Sequence, residues 1–240
     1  MERITILYIS ISIIVIGLGL GLGLGLGLKS NNKSNDNSND KSNNKSNNKS
    51  NDNSNDKISI YDNYKLYALQ QSKIHPNKRN FKSNNEYNTI LEHVSEDYGN
   101  QYLHFIKTKF EEFYNTHFSL LKKICSMNDK YGNTIKSNFT SFMECSPTNL
   151  RYILHSLLAL KYMKEKNLSE VNIIEIGGGY GGLCKTISCL CDFEEYHIYD
   201  IEPALKLQEK YLSKFDITGK TIHHSTIDKL EDIDLVVSNY

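Results

Sequence analysis

Glu175 stands two residues ahead of Gly177, and Gly177, Gly178, Gly179, Gly181 and Gly182 fill five of the six positions from 177 to 182. Before them, Val171-Asn172-Ile173-Ile174-Glu175-Ile176 is an apolar run that reads as a buried strand. After them, Leu183 to Cys191 reads as a helix. An ordinary strand-to-helix turn needs one or two glycines. Five admit a ligand against the backbone, where a Cβ would stand in the way. Strand, glycine turn and helix start together predict a nucleotide cradle, with amide N–H groups and the positive helix end facing the ligand.

Two fingerprints overlap at this turn. Gly177, Gly179 and Gly182 satisfy G-x-G-x-x-G, the dinucleotide pattern. Glu175, Gly177, Gly179 and Gly181 satisfy E-x-G-x-G-x-G, which resembles the first motif of class I S-adenosylmethionine-dependent methyltransferases. The acid separates the two. A carboxylate at the strand end repels a pyrophosphate, whereas the methionine part of S-adenosylmethionine carries an ammonium and a sulfonium. The charge balance favours the methyl donor.

Tyr196-His197-Ile198-Tyr199-Asp200 reads as a second strand ending in an acid. Asp200 lies about 20 residues past the glycines, where a carboxylate accepts both ribose hydroxyls of either cofactor class. Its structural alternative is a helix N-cap, since Pro203 suits a first helical turn.

Taken in order, four segments resemble the sugar O-methyltransferase family of class I type. Ser146-Pro147-Thr148-Asn149-Leu150-Arg151-Tyr152 is similar to the segment ahead of that domain. Glu175-Ile176-Gly177-Gly178-Gly179-Tyr180-Gly181-Gly182-Leu183-Cys184 resembles its glycine motif. Tyr199-Asp200-Ile201-Glu202-Pro203, with the following Leu207-Gln208-Glu209-Lys210-Tyr211-Leu212, resembles its acidic loop and helix. Asp234-Leu235-Val236-Val237-Ser238-Asn239-Tyr240 resembles the start of its fourth-strand motif. The likeness covers residues 146–240. It implies an α/β, Rossmann-like sheet with S-adenosyl-L-methionine as cofactor. Glu175, Gly177, Gly178, Gly179, Gly181 and Asp200 would bind the donor, and Asn239 and Tyr240 would lie near the acceptor. The family's sheet has seven strands. Four are expected here, at Val171–Ile176, Tyr196–Tyr199, Lys220–His224 and Leu235–Ser238, so the sheet is expected to be incomplete. The apolar edge of the fourth strand would then be open to a second chain.

Methyl transfer from a sulfonium is an in-line displacement. The acceptor oxygen must sit about 3 Å from the methyl carbon, opposite the sulfur, so positioning dominates. A sugar hydroxyl is a weak nucleophile and calls for a base or a metal. His223 and His224 end the third strand, nearer the adenine than the methyl group, so no catalytic base is assigned. No metal site is expected.

The formal net charge is zero, with 28 basic and 28 acidic residues, which excludes an electrostatic footprint for nucleic acid. Residues 1–28 predict a single-pass membrane anchor. Ile4 to Leu28 carries no charge and is long enough to cross a bilayer as a helix. Gly17, Gly21 and Gly25 sit at small-xxx-small spacing, open to two readings: helix packing in lipid, or a slipped codon repeat. Lys29, Lys33, Lys41 and Lys45 favour the following side as cytoplasmic. Residues 29–57 predict a disordered tether, since Lys29 to Asp56 uses only Lys, Ser, Asn and Asp and has nothing apolar to bury.

Residues 58–145 predict a helical region. Tyr102, Phe105, Ile106, Phe110, Phe113, His117, Leu120, Leu121 and Ile124 recur at helical spacing, a stripe that reads as core. His104 and His117 read as satisfied, partly buried histidines. Ser146 then Pro147 marks a helix start. That helix is expected to bring Arg151 or Tyr152 towards the cofactor. Cys184 and Cys191, two turns apart, are expected to face the core as reduced thiols, with Cys125, Cys145 and Cys189 also reduced. The leading expectation is a membrane-tethered O-methyltransferase acting on a saccharide, with an open question of activity because the sheet is incomplete. The alternatives are a nicotinamide-binding oxidoreductase and a non-catalytic remnant or scaffold.

Overall fold

The computed structural model describes residues 59–226 and 232–238. The anchor and tether expected over 1–57 lie outside them, as do Asn239 and Tyr240. Among the described residues, no helix is long and apolar enough to cross a membrane.

The chain begins with helices. Helix α1 (Ile60–Lys73) is capped by Ser59, whose Oγ accepts from Asp62 N–H at 3.1 Å. Two 3₁₀ turns (Pro76–Lys78 and Phe81–Ser83) lead to the short α2 (Asn85–Asn88). The apolar stripe predicted over Tyr102 to Ile124 is carried by three helices: α3 (Glu96–Lys109), α4 (Glu111–Thr116) and α5 (Phe118–Asn128). The breaks fall at Phe110 (φ −128°, ψ 36°) and His117 (φ −110°, ψ 20°). Each break re-aims the stripe, so Tyr114 as well as Ile106, Leu121 and Ile124 enters the core while Phe105 turns out to solvent. His104 is exposed, against the expectation of partial burial, because it lies on the outer side of α3. His117 is half-buried and stacks on Phe113 at 4.1 Å. A small unforeseen hairpin, β1 (Ser137–Asn138) with β2 (Glu144–Cys145), follows.

Helix α6 (Pro147–Lys166) starts where Ser146 and Pro147 predict, with Ser146 Oγ accepting from Thr148 N–H at 3.2 Å. It ends at Asn167 in the left-handed conformation that favours a helix stop. One side of α6, through Leu150, Ile153, Leu154 and Leu157, joins a core with α3, α4 and α5. The other, through Tyr152, Ala159 and Met163, joins the core of the sheet. Burial on both sides overrides the usual one-faced pattern of a surface helix.

The sheet holds four parallel strands: β3 (Asn172–Ile176), β4 (Glu195–Tyr199), β5 (Lys220–His224) and β6 (Leu235–Ser238), in the spatial order β5-β4-β3-β6. All four predicted strands are present, within a residue of the expected ends. Between them run α7 (Gly182–Ser188) and α8 (Glu202–Leu212). The mixed α/β architecture with a parallel sheet is compatible with a Rossmann-like fold. Helix α7 is shorter than predicted, so Cys191 lies beyond it and is half-buried, while Cys184 is fully buried. All five cysteines are free thiols. One sheet face presents Ile173, Tyr196, Ile198, Leu235 and Val237 to Leu183 and Ile187 of α7 and to Ala204, Leu207 and Tyr211 of α8. Tyr64 and Ala68 of α1, Phe81, Tyr87 and Leu91 belong to the same cluster, so the helical segment and the sheet share apolar burial across residue 146.

Candidate functional site

Strand β3 is flanked by its sequence successor β4 on one side and by β6 on the other. Strand order reverses there, and in open parallel sheets the crevice at the carboxyl ends of such a pair is where ligands bind. Ile176 and Ser238 stand opposite each other in register at that edge. Ile176 is an exposed large apolar side chain, at 37%. Gly177 follows it and is half-exposed.

The glycine turn takes a shape only glycine adopts easily. Gly177, Gly179 and Gly181 have φ of 74°, 59° and 90°. A Cβ on Gly178 would lie 2.5 Å from Ile198 Cγ2, so this residue must be glycine for close packing on β4. The expectation of an open helix end facing a ligand is corrected. Gly178 to Gly182 are all buried. Leu91 covers Gly179, Leu212 covers Gly181, and Tyr152 covers Gly182. The opening towards solvent is left at Gly177 and Ile176, before the helix.

Asp200 ties this turn to the next strand. Its Oδ2 accepts from Gly179 N–H at 2.9 Å and from Gln208 Nε2 at 3.0 Å. Its Oδ1 accepts from Ile201 N–H at 2.7 Å. Ile201 is the N-cap of α8 and Pro203 lies in the first turn, so Asp200 stands one residue before the cap position. Burial raises its carboxyl above the usual range, against the pull of the three donors. The side chain remains half-exposed. Counting two acceptor sites per oxygen, Oδ1 keeps one for a ligand hydroxyl.

Glu175 is fully buried. Tyr196 donates its hydroxyl to Glu175 Oε2 at 3.1 Å. The Tyr196 phenol is held well above its ordinary value, first by burial and then by the charge of Glu175. The Glu175 carboxyl carbon lies 3.4 Å from the place a Gly178 Cβ would take. The structure therefore brings Glu175, the glycines and Asp200 together, with Glu175 underneath the turn and Asp200 beside it. Strand alternation explains the placement, because Glu175 shares the α7–α8 face with Ile173.

Gln208 was not foreseen as part of this site. It is buried and donates from Nε2 to the Gly179 carbonyl at 2.8 Å as well as to Asp200. Its signal in the sequence is a glutamine set among Ala204, Leu205, Leu207, Tyr211 and Leu212, the apolar face of the helix after the acid. Tyr152 reaches the turn, and Arg151 reaches the residue that covers it. Tyr152 Cε2 lies 2.4 Å from a Cβ built on Gly182, and Arg151 Nη2 donates to the carbonyl of Leu91, the residue covering Gly179.

His224 ends β5 in register with Tyr199 of β4. Its Nε2 lies 2.9 Å from His197 Nδ1, and its ring stacks on Tyr199 at 4.4 Å. Its backbone carbonyl accepts from Asp200 N–H at 3.1 Å, which fixes the acid's strand end to β5. Among the described residues, no group of three or more His, Cys, Asp or Glu is placed to hold a metal ion. No protein-family model, no curated protein and no solved structure matches this chain.

Proposed function

We propose that the chain is an S-adenosylmethionine-dependent O-methyltransferase whose acceptor is a sugar hydroxyl, held at a membrane by its N-terminal segment. The observation that carries the reading is the glycine turn at the point where strand order reverses, with the Asp200 carboxylate bonded to its third glycine. Two further observations favour this donor over a dinucleotide. A pyrophosphate needs the amides of a helix N-terminus, and here the Gly179 N–H is given to Asp200 and the Gly181 N–H to the Gly178 carbonyl. The Glu175 carboxyl lies directly beneath the turn, at the end where this donor brings a cationic sulfonium and a dinucleotide brings an anionic pyrophosphate.

Asp200 would hold the ribose through its remaining acceptor site. Gly177 would admit the sulfonium end beside Ile176, while Glu175 would act through its field from below and not by contact. The donor supplies an electrophilic methyl group. When bound it would let an acceptor oxygen take the methyl carbon as the carbon–sulfur pair returns to sulfur, with the hydroxyl proton passing to water. Asn239 and Tyr240, which would follow β6 at this edge, are the residues proposed nearest the acceptor.

Isothermal calorimetry of the full chain with S-adenosylhomocysteine tests the reading. Saturable heat is expected, and NADH in the same cell should give none. No heat at millimolar S-adenosylhomocysteine would sink the proposal, and saturable heat with NADH alone would move the chain to the oxidoreductases.

A further inference from the structure

The start of α6 and the loop before α3 hold buried polar atoms that the fold leaves without partners. Arg151 is 6% exposed, and its Nε donates to nothing. Among the described residues, its side-chain hydrogen bond runs from Nη2 to the Leu91 carbonyl at a long 3.4 Å. Among the described residues, no carboxylate forms an ion pair with it. Glu92 accepts from Ser146 Oγ on Oε2 at 3.1 Å, while its Oε1 is buried with no donor. Thr148 is 1% exposed, and its hydroxyl also lacks a partner. Buried polar groups in native proteins are satisfied with few exceptions, and a buried guanidinium is among the costliest to leave unpaired. With Asn149 Oδ1, which is also buried without a donor, these orphans point to a polar group that completes them.

Leu91 links the cluster to the glycine turn. Leu91, between Glu92 and the Arg151 bond, places its methyl carbons 3.0 and 3.1 Å from the position of a Gly179 Cβ. Glu92 itself is half-exposed, with its Oε1 on the buried side. The orphans are of two complementary kinds. Arg151 Nε and the Thr148 hydroxyl donate, as a carboxylate requires. Glu92 Oε1 accepts, as an ammonium requires. An α-amino acid carries both groups on one carbon, and a nicotinamide dinucleotide carries no such pair.

We infer that this cluster grips the amino-acid end of the methyl donor, with Arg151 and Thr148 on its carboxylate and Glu92 on its ammonium. The inference rests on the donor reading above. It assigns the contact with the ammonium to Glu92, since Glu175 is buried and bonded to Tyr196. Arg151 and Glu92 thereby decide which adenosine thioethers the protein accepts.

The test compares two ligands on the full chain by calorimetry. S-adenosylhomocysteine has the amino-acid end, whereas 5′-methylthioadenosine has the same adenosine and thioether without it. The unaltered protein should bind the first at least about ten-fold tighter, the effect of one good charge-assisted hydrogen bond. Arg151→Gln and Glu92→Gln should each weaken S-adenosylhomocysteine by about ten-fold or more and leave 5′-methylthioadenosine unchanged. Equal affinity of the unaltered protein for both ligands overturns the inference and leaves the donor reading standing. Binding of neither removes both. Variants that keep the preference, or lose both ligands together, also overturn it. The comparison on the unaltered protein needs no substitution, so a variant that misfolds does not protect the idea.

Discussion

Asp200 shows how a single side chain does two jobs. One oxygen closes the glycine turn through Gly179 and Gln208, and the other secures the entry to α8. An asparagine offers one acceptor oxygen and turns an NH₂ towards donors, so Asp200→Asn should destabilise the fold by about 1–3 kcal/mol. Urea unfolding measures this, and an unchanged midpoint would mean that the turn is held by packing alone. Lys82 makes a different residue-scale case. It is fully buried, donates to the Asn128 carbonyl, and lies 4.3 Å from the centre of the Tyr180 ring and 5.2 Å from that of Tyr211. Burial pushes its amine down to about 8 from 10.5, against the pull of Glu92 and Asp129. The folded state therefore sheds this proton before the unfolded chain does. Stability contributed by the neutral amine is fully present above 10.5 and is lost as pH falls through about 8. The rise between those limits is at most about 1.4 kcal/mol per pH unit. Lys82→Met should flatten it in unfolding curves taken across the window. Tyr180 and Tyr211, whose phenols burial pushes well above the ordinary value, act in the opposite sense at higher pH.

At the scale of elements, the start of α6 joins the helical segment to the candidate site. Ser146 Oγ accepts from Thr148 N–H and donates to Glu92, so the cap also positions the loop that carries Leu91. Ser146→Ala should cost about 1 kcal/mol through the lost cap. It should also weaken S-adenosylhomocysteine more than 5′-methylthioadenosine, because Glu92 loses its only side-chain tether among the bonds described. Equal weakening of the two ligands would confine Ser146 to a capping role. Much of the element order was legible beforehand. The four strands follow from short apolar runs bounded by turn residues, and α6 follows from Ser146 and Pro147. The break of the aromatic stripe into α3, α4 and α5 was not legible, because Phe110 and His117 carry no proline or glycine signal and leave helical geometry through packing.

At the scale of the whole molecule, α1, the first 3₁₀ turns and α2 have no core of their own. Tyr64, Ala68, Phe81 and Tyr87 are buried in the same cluster as Ile173, Tyr196 and Tyr211 of the sheet domain. Shared burial couples their unfolding. Amide exchange should therefore show α1 and β3 opening with the same free energy, and the far- and near-ultraviolet signals should fall together in urea. Earlier exchange of α1 would show that the helical segment is a separately stable cover over the site.

The sequence by itself determined the periodic and covalent part of this protein: the strand, the glycine turn that needs positive φ, and the acid at the end of the neighbouring strand. These are legible because backbone sterics and side-chain alternation act over a few residues. Tertiary structure alone decided which groups face a ligand. It closed the helix end with Leu91, Leu212 and Tyr152, and left Arg151 Nε and Glu92 Oε1 without hydrogen-bond partners beside it. Those outcomes depend on contacts between residues about 30 to 90 positions apart along the chain, such as Leu212 with Gly181 and Leu91 with Gly179. Burial and pairing at that range are set by how two cores close on α6, which no local pattern encodes.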